Sequence, residues 1–258
     1  MSLFRNHLSP LFQACTFVVT LLISLSASSF CLAGEKFNLV TENFPPFNMS
    51  LQENKFEHKD ENIYGINTDI VRELFKRAGY DYRLKLRNWD YAYNFAQRKT
   101  LRGVFGTTYT EARKPLFQWV GPLATNDWVL FARDDAGITL SQVEDAKAFT
   151  IGCYKNDSRA QFLMTNGYKA SELEDDSLNP KRLAEGLIDL WITSTSSGLY
   201  YAKQAGINNI HPVFTIKETQ LYLAMNKETP TTYIAHLNDV LADMRSDGTV
   251  ERIQSLYR

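Results

Sequence analysis

Short apolar runs alternate with helical patterns over most of the chain. From Lys36 to Thr41 apolar and polar positions alternate, with Phe37 and Leu39 on one face, and the period predicts a strand. Ile70, Val71, Leu74, Phe75 and Ala78 then recur at helical spacing, with Asn67-Thr68-Asp69 as the expected cap and Gly79 as the stop. A strand over Tyr82 to Leu86, a helix from about Asn88 to Lys99 and a strand around Val104-Phe105 complete a first series.

The second series starts near Trp128. Strands are expected at Trp128 to Ala132, Phe149 to Cys153, Asp189 to Thr193 and near Ile210 to Val213. Between them, Ser141 to Glu144 reads as a capping box, and Asp157 or Ser158 caps a helix closed by Gly167. Asn179-Pro180 opens a helix with proline in its first turn, and Ser196 to Ala205 is a helix stopped by Gly206. After an apolar run at Leu221 to Met225, Ile234, Leu237, Val240, Leu241 and Met244 line one face of a helical tail. The alternation predicts an α/β fold with mainly parallel sheets, in two lobes that share crossover strands.

The first 33 residues follow a different pattern. Arg5 and His7 precede the apolar run Phe17 to Leu25, and Cys31-Leu32-Ala33 supplies small residues where signal peptidase reads. The run is well short of the roughly 20 residues that span a bilayer, so an export signal cleaved after Ala33 is expected. Removing it leaves 258 − 33 = 225 residues and a charge of 27 − 29 = −2, since Arg5 is the only charged residue lost. That balance gives no electrostatic reason to bind nucleic acid. Cys15 and Cys31 leave with the signal, so Cys153 stands alone and the fold must rest on its core. The periplasm is the expected destination.

Enzyme and cofactor signatures are absent. His58, His211 and His236 have no metal-ligand spacing, no nucleophile elbow appears, and Gly103 with Gly106 is too sparse for a dinucleotide loop, so no metal, cofactor or catalytic residue is expected. What recurs is a strand ending in small polar residues that open a helix: Thr107-Thr108, Asn156-Asp157-Ser158 and Ser194-Thr195-Ser196-Ser197. Ligands of open α/β sheets bind beyond the carboxyl ends of the strands, where helix N-termini offer unpaired amides to an anion. Each segment alone reads as an ordinary cap. Arg113 is the sharper signal, because an arginine in a first helical turn opposes the helix dipole unless a carboxylate faces it. A surface pair with Glu111 is the competing reading.

The segment "TEARKPLFQWVGPL" resembles the periplasmic solute-binding proteins of amino-acid ABC transporters, in which a Thr-x-x-Arg segment precedes an apolar strand. "VTENFPPFNM", "YGINTDIVRELFKRAGYDYRL", "IGCYKND", "GLIDLWITSTSSGLYYAKQAG" and "LADMRSDGTVERIQSLYR" agree in the expected order over the whole mature chain. The resemblance implies a two-lobed, type II binding-protein fold, each lobe a mostly parallel sheet flanked by helices. Lobe one would comprise residues 34–125 plus 219–258, and lobe two residues 126–218. It implies that Arg113 holds a ligand carboxylate with Thr108 and the amide near Gly106, beside Thr107. Phe44 would pack on the ligand, and Asp157 and Ser158 would complete the cradle. The family's acidic partner for an α-ammonium is missing, because Ser194 stands in that stretch; Glu42 and Asp157 are candidate substitutes. Trp89 walls the cleft or packs in the core.

The function implied is capture of a small polar, carboxylate-bearing metabolite for a membrane permease, by a monomer without cofactor. Two rivals are a periplasmic dehydratase on the same fold and a ligand-presenting partner of a membrane sensor.

Overall fold

Chain segments that alternate or run apolar form the strands of one mixed sheet in the computed structural model, which describes residues 36–52 and 56–257. The expected export signal lies outside the described residues. β1 (Phe37–Thr41) is followed by the two-residue strands β2 (Met49–Ser50) and β3 (Ile63–Tyr64), which pair as a small antiparallel ribbon. Helix α1 (Ile66–Ala78) buries Ile70, Val71, Leu74 and Phe75, the stripe its spacing foretells, and Gly79 closes it in the left-handed conformation. Its start differs from expectation. Gly65 occupies the cap at φ 122°, and Asn67 and Thr68 lie buried inside the first turn. A Cβ at Gly65 would stand 2.5 Å from the Phe47 carbonyl oxygen, so the close approach of two backbones fixes the boundary.

β4 (Tyr82–Leu86), α2 (Trp89–Gln97, capped by the Asn88 side chain) and β5 (Arg102–Thr108) follow as expected. β6 (Phe117–Arg133) then runs unbroken for 17 residues. The capping box near Ser141 is displaced by one residue: Gln142 and Asp145 form it, and it opens a 3-10 turn, Val143–Ala148. β7 (Thr150–Tyr154) and α3 (Ser158–Thr165) precede β8 (Lys169–Leu173), a half-exposed edge strand whose polar sequence carries no apolar signal. α4 (Asn179–Ala184), β9 (Leu190–Thr193) and α5 (Thr195–Gln204) lead into β10 (Ile210–Asn226), again 17 residues, and α6 (Thr231–Ser246) and α7 (Thr249–Ser255) end the chain.

Strand order is β4-β1-β5-β10-β6-β9-β7-β8. Each flank is parallel: β1 with β4 and β5, and β7 with β8 and β9. The two long central strands pair antiparallel with each other and with the flanks. The result is two α/β lobes strung on β6 and β10. Phe37, Phe75, Leu223 and Leu237 belong to one buried cluster, Leu130, Ile151, Leu163 and Ile192 to another. Cys153 is fully buried in the second, where burial pushes its thiol up to about 12 and leaves it a small apolar side chain. Where the strands pass between lobes, Asn126 pairs with Thr219, and the Thr219 hydroxyl donates to the Asn126 carbonyl at 2.6 Å. Among the described residues no helix is long and apolar enough to cross a membrane.

Candidate ligand site between the lobes

Arg113 does not lie in the first turn of a long helix. Thr107 and Thr108 end β5, a turn follows, and Arg113 precedes a 3-10 turn of three residues, Lys114–Leu116. Pro115 and the extended Phe117 prevent its growth into an α-helix. Thr107 therefore caps nothing; its hydroxyl donates to the Val104 carbonyl. Thr110 fixes the turn instead, its hydroxyl accepting the Arg113 backbone N–H at 3.2 Å.

This turn directs the Arg113 side chain inward. It is 3% exposed, with its guanidinium carbon 4.9 Å from the centre of the Trp89 ring and 5.3 Å from that of Tyr93. Its Nη1 donates a long 3.4 Å bond to the Thr108 carbonyl, and its guanidinium bonds the Tyr93 hydroxyl. Among the described residues no acid reaches it at ion-pair distance, so the surface pairing with Glu111 does not form; Glu111 faces Lys114. Burial pulls its pKa down, opposed by Asp157, Tyr93 and Glu42. Gly106 sits on the same rim at φ 77°, where a Cβ would stand 2.5 Å from Asn48 Nδ2.

Opposite, Asp157 caps α3 and its Oδ1 accepts both the Arg159 backbone N–H at 2.9 Å and Arg159 Nε at 2.6 Å. Burial alone would raise Asp157, but Arg159 and Arg113 outweigh it and hold the carboxyl below its ordinary range. Ser158 is buried and its hydroxyl has no partner. Phe44 lies under Arg159, ring centre to guanidinium carbon 5.3 Å, and against Phe47. Glu42, at the end of β1, is buried with Oε2 unpartnered, and Tyr154 bonds its carboxyl. Seven of the ten expected residues thus converge from two lobes: Glu42, Phe44, Trp89, Thr108, Arg113, Asp157 and Ser158. Gly106 and Thr107 shape the rim. Ser194 caps α5, accepting the Ser197 N–H, while Asp127 from β6 covers the same helix end through Thr195.

The lobes are shut. Trp89 Nε1 donates to the Asn156 carbonyl at 3.2 Å, Asn156 Nδ2 donates to Asp90 at 3.0 Å, and the Ser197 hydroxyl donates to the Pro45 carbonyl at 2.5 Å. A cavity of about 60 Å³ reaches Glu42, Phe44, Tyr154 and Tyr201 from the cleft mouth. A larger one, about 270 Å³, lies beyond Tyr201 and touches none of the arginines. Sequence reasoning missed Arg159, Tyr154 and Asp176. Arg159 was detectable by the argument that exposed Arg113, since it is a cation in the first turn of α3.

Glu42 gives the site a pH dependence. Burial, reinforced by Asp157, pushes its carboxyl up to about 8, against Tyr154, Arg159 and Arg113. The unfolded chain releases this proton near its ordinary value, so the penalty is absent at low pH. Stability then falls as pH rises through the interval up to about 8, by at most about 1.4 kcal/mol per pH unit. Glu42→Gln is expected to flatten that fall between pH 5 and 8 in thermal melts. An unchanged slope would assign it to another group.

Two α/β lobes on paired crossover strands, with a polar cleft between them, define the two-lobed periplasmic-binding-protein architecture. The chain belongs to the bacterial extracellular solute-binding proteins, family 3, whose model matches residues 38–257. A histidine kinase sensor domain with similarity to periplasmic binding proteins is 17% identical, with TM-score 0.74 over 86% of this chain and 96% of its own. The arginine-, lysine-, histidine-binding protein ArtJ from Geobacillus stearothermophilus is 20% identical, with TM-score 0.72 over 86% and 95%. The ancestral amino acid-binding protein AncCDT-1, a precursor of cyclohexadienyl dehydratase, is 19% identical, with TM-score 0.70 over 86% and 94%. No curated protein matches the chain significantly.

Proposed function

We propose that the protein is an exported, monomeric solute-binding protein. It begins at Gly34, works in the periplasm and delivers a small polar, carboxylate-bearing metabolite to an ABC-transporter permease. The observation that carries this reading is Arg113, a guanidinium buried between aromatic rings with no acid among the described residues at pairing distance. A buried cation is costly unless something pairs it, and a bidentate ligand carboxylate does so. The ten residues named above form its pocket, in lobes comprising residues 34–125 plus 219–258 and residues 126–218. Ligand bridging Arg113 and the start of α3 favours the closed state by contacts the open state lacks. Family membership and the amino-acid binders among its structural relatives support this reading.

The test is a thermal-shift screen of the purified protein against amino acids, amines and organic acids, followed by small-angle scattering. A ligand at 100 times its dissociation constant is expected to add about 2.7 kcal/mol, and the radius of gyration to contract on binding it. A stabilising ligand with an unchanged radius would overturn hinge closure. Absence of any carboxylate among the stabilisers would overturn the carboxylate reading.

A further inference from the structure

Several buried side chains of the second lobe carry an unpartnered group that can donate a hydrogen bond. Arg159 is 4% exposed, and its Nη1 has no hydrogen-bond partner. The Ser158 and Thr193 hydroxyls are likewise buried and unpartnered. Arginine is donor-only, and its Nε edge is already spent on Asp157, so the vacant Nη1 edge can be satisfied only by an acceptor.

The acids nearby do not supply it. Asp157 Oδ1 is engaged by the Arg159 backbone N–H and Nε. Asp176 Oδ1 accepts from Asn179 Nδ2 at 2.8 Å and Trp191 Nε1 at 2.9 Å, and burial raises its carboxyl. Glu42, whose carboxyl burial pushes up to about 8, keeps its Oε2 without a partner and does not reach Arg159 Nη1. Arg159 is charge-paired with Asp157 through Nε, yet its Nη1 still calls for an acceptor, while Arg113 calls for a negative charge; a carboxylate at each end of a ligand bridging the lobes supplies both.

Resting on the carboxylate reading of Arg113, we propose that the ligand is dianionic, a small dicarboxylate whose second acid group is held by Arg159 beside Ser158 and over Phe44. Arg159 then sets specificity, and the two guanidinium groups, one per lobe, make both ends of the ligand necessary for closure.

Calorimetric titration decides it, with succinate, glutarate and malate compared against butyrate, succinamate and glutamine. At least one dicarboxylate is expected to bind about tenfold or more tighter than its matched monoacid, as one charge-assisted hydrogen bond implies. Arg159→Gln should bring that ratio close to one, and Arg113→Gln should abolish binding of both partners. Because Arg159→Gln strands Asp157, the double variant Asp157→Asn, Arg159→Gln is measured beside it, with circular dichroism as the folding check; the same collapse of the ratio is expected. Monoacids or zwitterions that bind through Arg113 as tightly as any dicarboxylate would overturn this inference and leave the carboxylate reading intact. So would a dicarboxylate preference that survives both Arg159 variants. Binding that survives Arg113→Gln would overturn both.

Discussion

Arg113→Ala is expected to weaken ligand binding by about 2–5 kcal/mol, because the ligand carboxylate is left buried without its partner. The geometry sets this scale. The guanidinium is 3% exposed and lies over Trp89, so water cannot take its place in the closed cleft. Arg113→Lys keeps the charge but loses the planar fork and the stacking, so an intermediate loss is expected. Titration calorimetry with a ligand from the screen reads both. Parental affinity in the alanine variant would show that the arginine serves the fold alone.

Asp157→Ala is the second large effect, and it falls on stability. The carboxylate caps α3 and pairs with Arg159, and both side chains are nearly inaccessible. Breaking a buried pair from one side costs about 3–5 kcal/mol, and loss of the cap accounts for part of that total. Asp157→Asn separates the two roles, since the amide oxygen still accepts the Arg159 N–H while the charge is gone. Chemical denaturation should therefore rank parent, asparagine and alanine in descending stability. Equal stability of the alanine variant and parent would mean that the pair opens to water in solution.

Much of this was legible along the chain. The α1 stripe from Ile70 to Phe75, the Asp157 cap and the opening of a helix at Ser194 follow from local periodicity and capping chemistry, which tertiary structure had no cause to override. The half-exposed strand β8 and the polar middle of β10 were not legible. Their residues are held by ladder hydrogen bonds to neighbours distant in sequence, and only a few partly buried apolar side chains, Ala170 in β8 and Phe214 and Ile216 in β10, pack against a core.

The same division holds in the site. By itself the sequence determined the α/β alternation and the anomaly of an arginine behind a threonine-rich turn. Only the tertiary structure decided which groups meet there. It removed Thr107 from any capping role, committed Ser194 to α5 and brought Arg159 from the second lobe over Phe44 of the first. It also raised Glu42 and lowered Asp157, two carboxyls whose sequence surroundings give no hint of opposite behaviour. The physical reason is that burial and the charges arriving from across the cleft set a side chain's chemistry, and both depend on contacts that no local pattern encodes.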